Sequence, residues 1–202
     1  MTRLEAFSDG VFAIAITLLV LEIAIPLGAE EDLLGALVEE WPAYLAYVIS
    51  YLTIGWVWVG HSAITAHVVR ADGIFLRLNL LLLMVVAFLP FPTKIMAEYL
   101  GNSEPERVAV VFYGIVLLAI ALLLDVLWRY AVRSRELLRS DLSDDELAGL
   151  TRKSTASLGM FLGSIVLGIF LPTFAVFAYL IASAYLVIPF RTIRQAIARR
   201  DD

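Results

Sequence analysis

Six apolar stretches, each close to the length that carries a helix across a bilayer, constrain this chain more than any other feature. A hydrocarbon core takes about 20 apolar residues as helix. The candidate spans run over about 6–25, ending before Pro26, then 42–68, 73–94, 107–128, 155–171 and 173–189. Pro90 and Pro92 interrupt the third near its end, and only Pro172 and its neighbours separate the last two, which must form a tight antiparallel hairpin. Composition agrees. Apolar residues are 61 % of the 202 and charged residues 17 %, against roughly 45–50 % and 25 % in soluble domains, and mean hydropathy is +0.86. A soluble fold and a disordered chain are both excluded. The expectation is an all-α integral membrane protein, residues 1–202 forming a single six-span domain. The first apolar run is too long for a cleavable signal, and no small-residue cleavage site follows it.

Orientation follows from the basic residues. With six spans, both termini lie on one side. That side receives every one of the 15 lysines and arginines except Lys94 and Arg107, so both termini are expected to be cytoplasmic. The opposite side is acidic, with Glu30, Glu31, Asp32, Glu39 and Glu40 between spans one and two. The one long polar linker, 134–154, contains Ser143 followed by Asp144, Asp145 and Glu146. A capping serine before an acidic first turn predicts a short amphipathic helix there, in what is otherwise a solvated connector.

Ionisable residues at membrane depth are costly and therefore informative. Asp9 and Glu22 lie in span one, His61 and His67 in span two, and Arg77 at the start of span three. Asp125 and Arg129 are four apart in span four, acid before base, and read as a local ion pair. No catalytic constellation is present: there is no His-Glu-x-x-His, no Gly-x-Ser-x-Gly, no phosphate loop and no dinucleotide fingerprint. His61 and His67 stand about 120° apart on one helix and are poor co-ligands for a metal. With no cysteine there is neither disulfide nor thiolate site. Neither an enzyme nor a resident cofactor or metal is expected, and the net charge of −5 argues against a nucleic-acid partner.

Span one is unusual. On a wheel turning about 100° per residue from Ile14, Phe7 falls near ~20°, Leu18 near ~40° and Leu21 near ~340°, with Thr17 beside them near ~300°. These make an unbroken apolar stripe, readable as a packed face or as a pore lining. Asp9, near ~220° on the same wheel, points elsewhere. A buried carboxylate needs donors, and a network of Arg3, Ser8 and Asp9 with Trp58, His61 and Asn79 would pin span one to spans two and three. Asp9 is therefore expected to be structural.

Arg3, Phe7-Ser8-Asp9, Ile14 and Thr17 fit the pattern Arg-x-x-x-Phe-Ser-Asp-x-x-x-x-Ile-x-x-Thr. This resembles the signature of the transmembrane protein 175 family, the endolysosomal potassium channels and their prokaryotic relatives. Gly55-x-x-Trp58-x-x-His61, Leu78-Asn79-Leu80-Leu81-Leu82 and Pro90-Phe91-Pro92-Thr93 extend the resemblance through span three. It implies a homotetramer in a bacterial or archaeal inner membrane, with span one lining a central pore that passes potassium with weak preference over sodium. The implied constriction is a set of apolar rings at Ile14, Leu18 and Leu21, which block ions by excluding water. Thr17 would offer hydroxyls to a dehydrating ion. Glu22 would attract cations at the outer mouth or meet a neighbouring subunit. The implied partners are lipid, permeating monovalent cations and three further copies. Two rivals remain: a proton-coupled secondary transporter using Asp9 and His61, and a non-conducting scaffold.

Overall fold

The computed structural model describes residues 2–24, 31–101, 103–140 and 142–188. Among the described residues it is all helical. The order is α1 (Thr2–Leu18) followed by a 3₁₀ turn (Leu19–Glu22), α2 (Leu33–Glu39), α3 (Trp41–His67), α4 (Gly73–Phe88), α5 (Pro90–Tyr99), α6 (Ser103–Arg133), α7 (Asp144–Phe170) and α8 (Pro172–Val187). Five helical segments are long and apolar enough to cross a membrane, and α8 is a shorter apolar helix. The protein is a membrane protein.

Prolines and short polar side chains set the helix ends. The Asp32 carboxylate accepts the Gly35 N–H at 2.9 Å and caps α2; that of Asp72 accepts those of Ile74 and Phe75 at 3.1 and 2.8 Å and caps α4. Pro42 and Pro172 sit in first turns, where no N–H is needed. Pro90 and Pro92 lack the N–H groups that would bond the carbonyls of Val86 and Phe88. The helix breaks there into α4 and α5, with Leu89 N–H folding back to Val86 at 3.1 Å.

Several helix ends differ from the expected spans. The α-helix of span one stops at Leu18 and continues as the 3₁₀ turn; Ile25 and Pro26 lie outside the described residues, as do Glu30, Pro189 and the terminal arginines. Span four extends to 103–133, because Glu104, Arg107, Arg129 and Arg133 prolong the helix beyond its apolar core. Among its described residues the linker holds a 3₁₀ turn (Arg135–Leu137) but no α-helix separate from the fifth span. α7 starts directly after Ser143 and runs unbroken through 170, since no proline intervenes.

α6 is the central post. Val110, Tyr113, Leu117, Ile120, Leu124, Leu127 and Ala131 recur every three or four residues and are all buried, against α3, α4, α5, α7 and α8. α7 and α8 pack as a hairpin. α1 is peripheral: only 22 % of the residues in its most apolar 18-residue stretch are buried, against 56 % for α6.

Two polar features tie the helices together. In the interior, the Thr93 hydroxyl donates to the Leu89 carbonyl at 2.8 Å. Its one proton thus spent, it accepts from Ser50 (2.8 Å), which accepts from Tyr113 (2.8 Å). The same logic has Ser183 donating to Thr53 (2.8 Å) and Thr53 to the Ile49 carbonyl (2.9 Å). These strings join α5, α3 and α6, and α8 to α3. At the arginine-rich end, Val68 and Leu138 pair as an antiparallel bridge. Val69 N–H donates to Leu137 (2.8 Å) and Arg139 N–H to His67 (3.0 Å). Arg70 pairs with Glu136 at 2.7 Å, and the Tyr130 hydroxyl donates to Asp72.

Candidate pore-lining site

The face of α1 turned into the protomer carries Ser8, Phe12, Ala15 and, in the 3₁₀ turn, Leu19, all at most 2 % exposed. They fall within about 60° on a helical wheel and pack against α3 and α4. The face turned away carries Ile14, Leu18 and Leu21, exposed by 61, 40 and 71 %. Thr17 is exposed beside them, its hydroxyl donating back to the Ala13 and Ile14 carbonyls at 3.0 and 2.9 Å. The helix keeps the threonine proton, leaving oxygen lone pairs outward. Phe7 is also exposed.

The expected polar network resolves into two separate contacts. In the first, Asn79 is fully buried and donates its amide to Ser8 Oγ at 3.1 Å, while its oxygen meets His61 Nε2 at 2.7 Å. An amide oxygen only accepts, so Nε2 of His61 carries the proton. Phe12 lies against the imidazole, ring centroids 5.4 Å apart. In the second, Trp58 Nε1 donates to Asp9 Oδ1 at 2.9 Å. Asp9 is exposed on the protomer, not buried, and Trp58 is half-exposed. The cause is helical phase: Asp9 lies about 90° from the buried face of α1. Arg3 joins neither contact. It is exposed and lines a shallow groove with Thr2, Leu4, Ala71 and Leu76.

Glu22 takes a place that sequence reasoning did not consider. Its carboxylate stands 3.8 Å from Lys94 on α5 of the same protomer. Nothing in spacing along the chain joins residues so far apart; the α4–α5 break brings Lys94 to the end of α1. Arg129 Nε donates to Asp125 at 2.6 Å and its guanidinium also reaches Thr155 (2.8 Å), so this ion pair helps dock α7 on α6. His67 and Arg77 lie away from the exposed stripe of α1, His67 at the last turn of α3 and Arg77 exposed near the start of α4. No group of three or more metal-ligating side chains occurs among the described residues.

Comparison with known proteins identifies the family and the fold. The family described as the endosomal/lysosomal potassium channel TMEM175 matches residues 3–90, which take in α1, α3 and α4. A potassium channel of Streptomyces collinus is 48 % identical over 136 residues, 67 % of this chain and 66 % of that protein. A potassium channel of Chamaesiphon minutus is 42 % identical over 168 residues, 82 % of each chain. The endosomal/lysosomal proton channel TMEM175 of Gallus gallus is 38 % identical over 117 residues; the match spans 54 % of this chain but about a quarter (23 %) of that longer protein. Among solved structures, a lysosomal potassium-selective channel TMEM175 homologue from Chamaesiphon minutus superposes with a TM-score of 0.83 at 39 % identity, covering 92 % of this chain and 95 % of that one. A variant of the potassium channel MtTMEM175 shares the fold, with a TM-score of 0.64. A matching family, a matching fold and relatives aligned over most of their length establish that the chain belongs to the TMEM175 family.

Proposed function

We propose that this protein is a potassium channel in which four copies surround a pore lined by α1. One observation carries the reading: Ile14, Leu18 and Leu21 are exposed on a helix whose opposite face is fully packed. An apolar row along one side of a peripheral helix needs a partner or an axis, and the relatives of comparable size are named potassium channels. In this reading α8, about 24 Å long at 1.5 Å per residue, makes the sixth crossing. The arginine-rich end and both termini are cytoplasmic, and the Glu22 end of α1 faces outside, in the inner membrane of a bacterium or archaeon.

Four copies each of Ile14, Leu18 and Leu21 form successive apolar rings. They offer water no hydrogen bonds, so a narrow sleeve dewets and blocks ions. Potassium passes more readily than sodium because it gives up its water more easily, with Thr17 oxygens beside the rings. The residues that hold the pore helix, Ser8, Asp9, Trp58, His61 and Asn79, position it without touching the ion. Asp9 and His61 engage Trp58 and Asn79 rather than each other, an arrangement that does not favour the transporter's proton relay. No cofactor takes part.

The test is potassium and sodium current through purified protein in bilayers. Ile14→Asn, Leu18→Asn and Leu21→Asn should raise conductance and weaken potassium preference, since a polar ring stays wet. Ile16→Asn, on the partly packed side of α1, should damage assembly and leave selectivity alone. Unchanged selectivity in all three ring variants would sink the apolar-ring mechanism.

A further inference from the structure

The far end of α1 is wound more tightly than the rest. Leu19–Glu22 is a 3₁₀ turn, Ile23 N–H bonds the Val20 carbonyl at 3.2 Å, and the chain leaves extended at Ile23. No proline or glycine in Leu19-Val20-Leu21-Glu22 imposes this winding. Short 3₁₀ runs have poorer hydrogen-bond geometry than α-helix and persist where other contacts hold them. Two contacts hold this one. Leu19 is fully buried, and the Glu22 carboxylate, with only 25 % of its side chain exposed, faces the Lys94 ammonium at 3.8 Å. Lys94 stands on a fixed element, because its neighbour Thr93 is bonded through Ser50 to Tyr113 on the central helix.

The winding decides where two side chains point. A 3₁₀ turn advances about 120° and 2.0 Å per residue, an α-helix about 100° and 1.5 Å. Rewinding to α-helix would turn Glu22, four residues beyond Leu18, by about 80° and draw it back by about 2 Å. Its contact with Lys94, already long, would be lost. In the tight form Leu21 eclipses Leu18, because residues i and i+3 superpose; rewinding swings Leu21 aside by about 60°.

We propose that Glu22 and Lys94 form a latch that holds this turn, keeping Leu21 as a cover over the Leu18 ring on its outer side. Release of the latch lets the turn relax, uncovers Leu18 and wets the outer end of the sleeve. The inference rests on the pore-lining reading. Glu22 then acts as a positioning residue whose charge matters through Lys94, not as a cation attractor.

Two measurements test it on the full-length protein: potassium current in bilayers, and the rate at which an aqueous thiol reagent added outside modifies Leu18→Cys in a chain with no native cysteine. Glu22→Gln and Lys94→Gln should each raise open probability and modification rate by about threefold, the size set by a partly exposed ion pair. The exchange Glu22→Lys with Lys94→Glu should bring both back to within about twofold of wild type. Single variants without effect would overturn the latch. So would an exchanged pair that behaves like Glu22→Lys alone, the signature of a mouth charge acting on cations directly. A wild-type protein that passes no potassium would overturn the channel reading, while the thiol rates would still decide the latch.

Discussion

Gly114 shows how tightly single positions are specified inside the protomer. A Cβ there would stand 2.0 Å from the Tyr179 hydroxyl and 2.7 Å from Ile165 Cγ1. Tyr179 has little freedom to yield: it is fully buried, donates to the Val110 carbonyl at 3.3 Å and packs edge-on against Tyr113. Gly114→Ala should cost about 1–3 kcal/mol, the usual penalty of overpacking. It should be read as a lower melting temperature of the purified protein, while Gly163→Ala, with open space around its Cβ site, should melt within a degree or so of wild type. Nothing in the sequence marks Gly114, because close approach is a property of three helices at once. His61 and Asn79 were legible for the opposite reason, since large polar side chains stand out in apolar spans, and Ser8 stood beside Asp9 in the Phe7-Ser8-Asp9 motif. The hydroxyls of Ser50, Thr53, Thr93 and Ser183 were not. Serine and threonine can satisfy themselves on their own helix, so their presence does not reveal the strings they form.

At the scale of elements, breaks written in proline were readable and changes of winding were not. Pro90, Pro92 and Pro172 fall at helix breaks, whereas the 3₁₀ turn at Leu19–Glu22 is built from ordinary helix formers and depends on contacts from α3 and α5. The start of α4 gives a prediction with a sign. The Phe75 N–H, the Tyr130 hydroxyl, the Ile74 N–H and the nearby Arg70 hold the Asp72 carboxyl below the usual carboxylate range. A carboxyl depressed by folding stabilises the folded state above its unfolded value, near 3.8, and that contribution disappears as pH falls through the lower folded value. Wild type should therefore melt higher than Asp72→Asn near pH 6. The gap should narrow only below about pH 4, as followed by thermal melts in detergent. A gap that stays constant down to pH 3 would show that the carboxylate charge is not what caps α4.

For the whole molecule, the proposed tetramer would place at its axis the least buried of the five long spans. Single cysteines at Ile14 or Leu18 should form disulfide-linked pairs of chains on oxidation, because one thiol per chain can join only two copies, and the mass of the purified assembly in detergent should equal four chains. Cross-links obtained only from cysteines placed on α7 or α8 would move the axis elsewhere. The apolar stripe could be drawn from the sequence by a wheel, but its exposure could not. A packed face and a pore lining have the same periodicity, and only the position of α1 outside the α3–α6–α8 core separates them.

The bridge between Val68 and Leu138 also sets an order of events. Its partners flank α4, α5 and α6, so none of its backbone bonds can form until the last turn of α6 has been made and placed. Closing so long a loop costs entropy that no local contact returns, while the waiting groups, His67 C=O and Val69 N–H, lie at the arginine-rich end beyond the apolar spans, where water can satisfy them cheaply. A chain made from its N-terminus can join α3 to α4 through His61 and Asn79 early. The bridge would fasten the loop between them to the end of α6 only after α6 is in place.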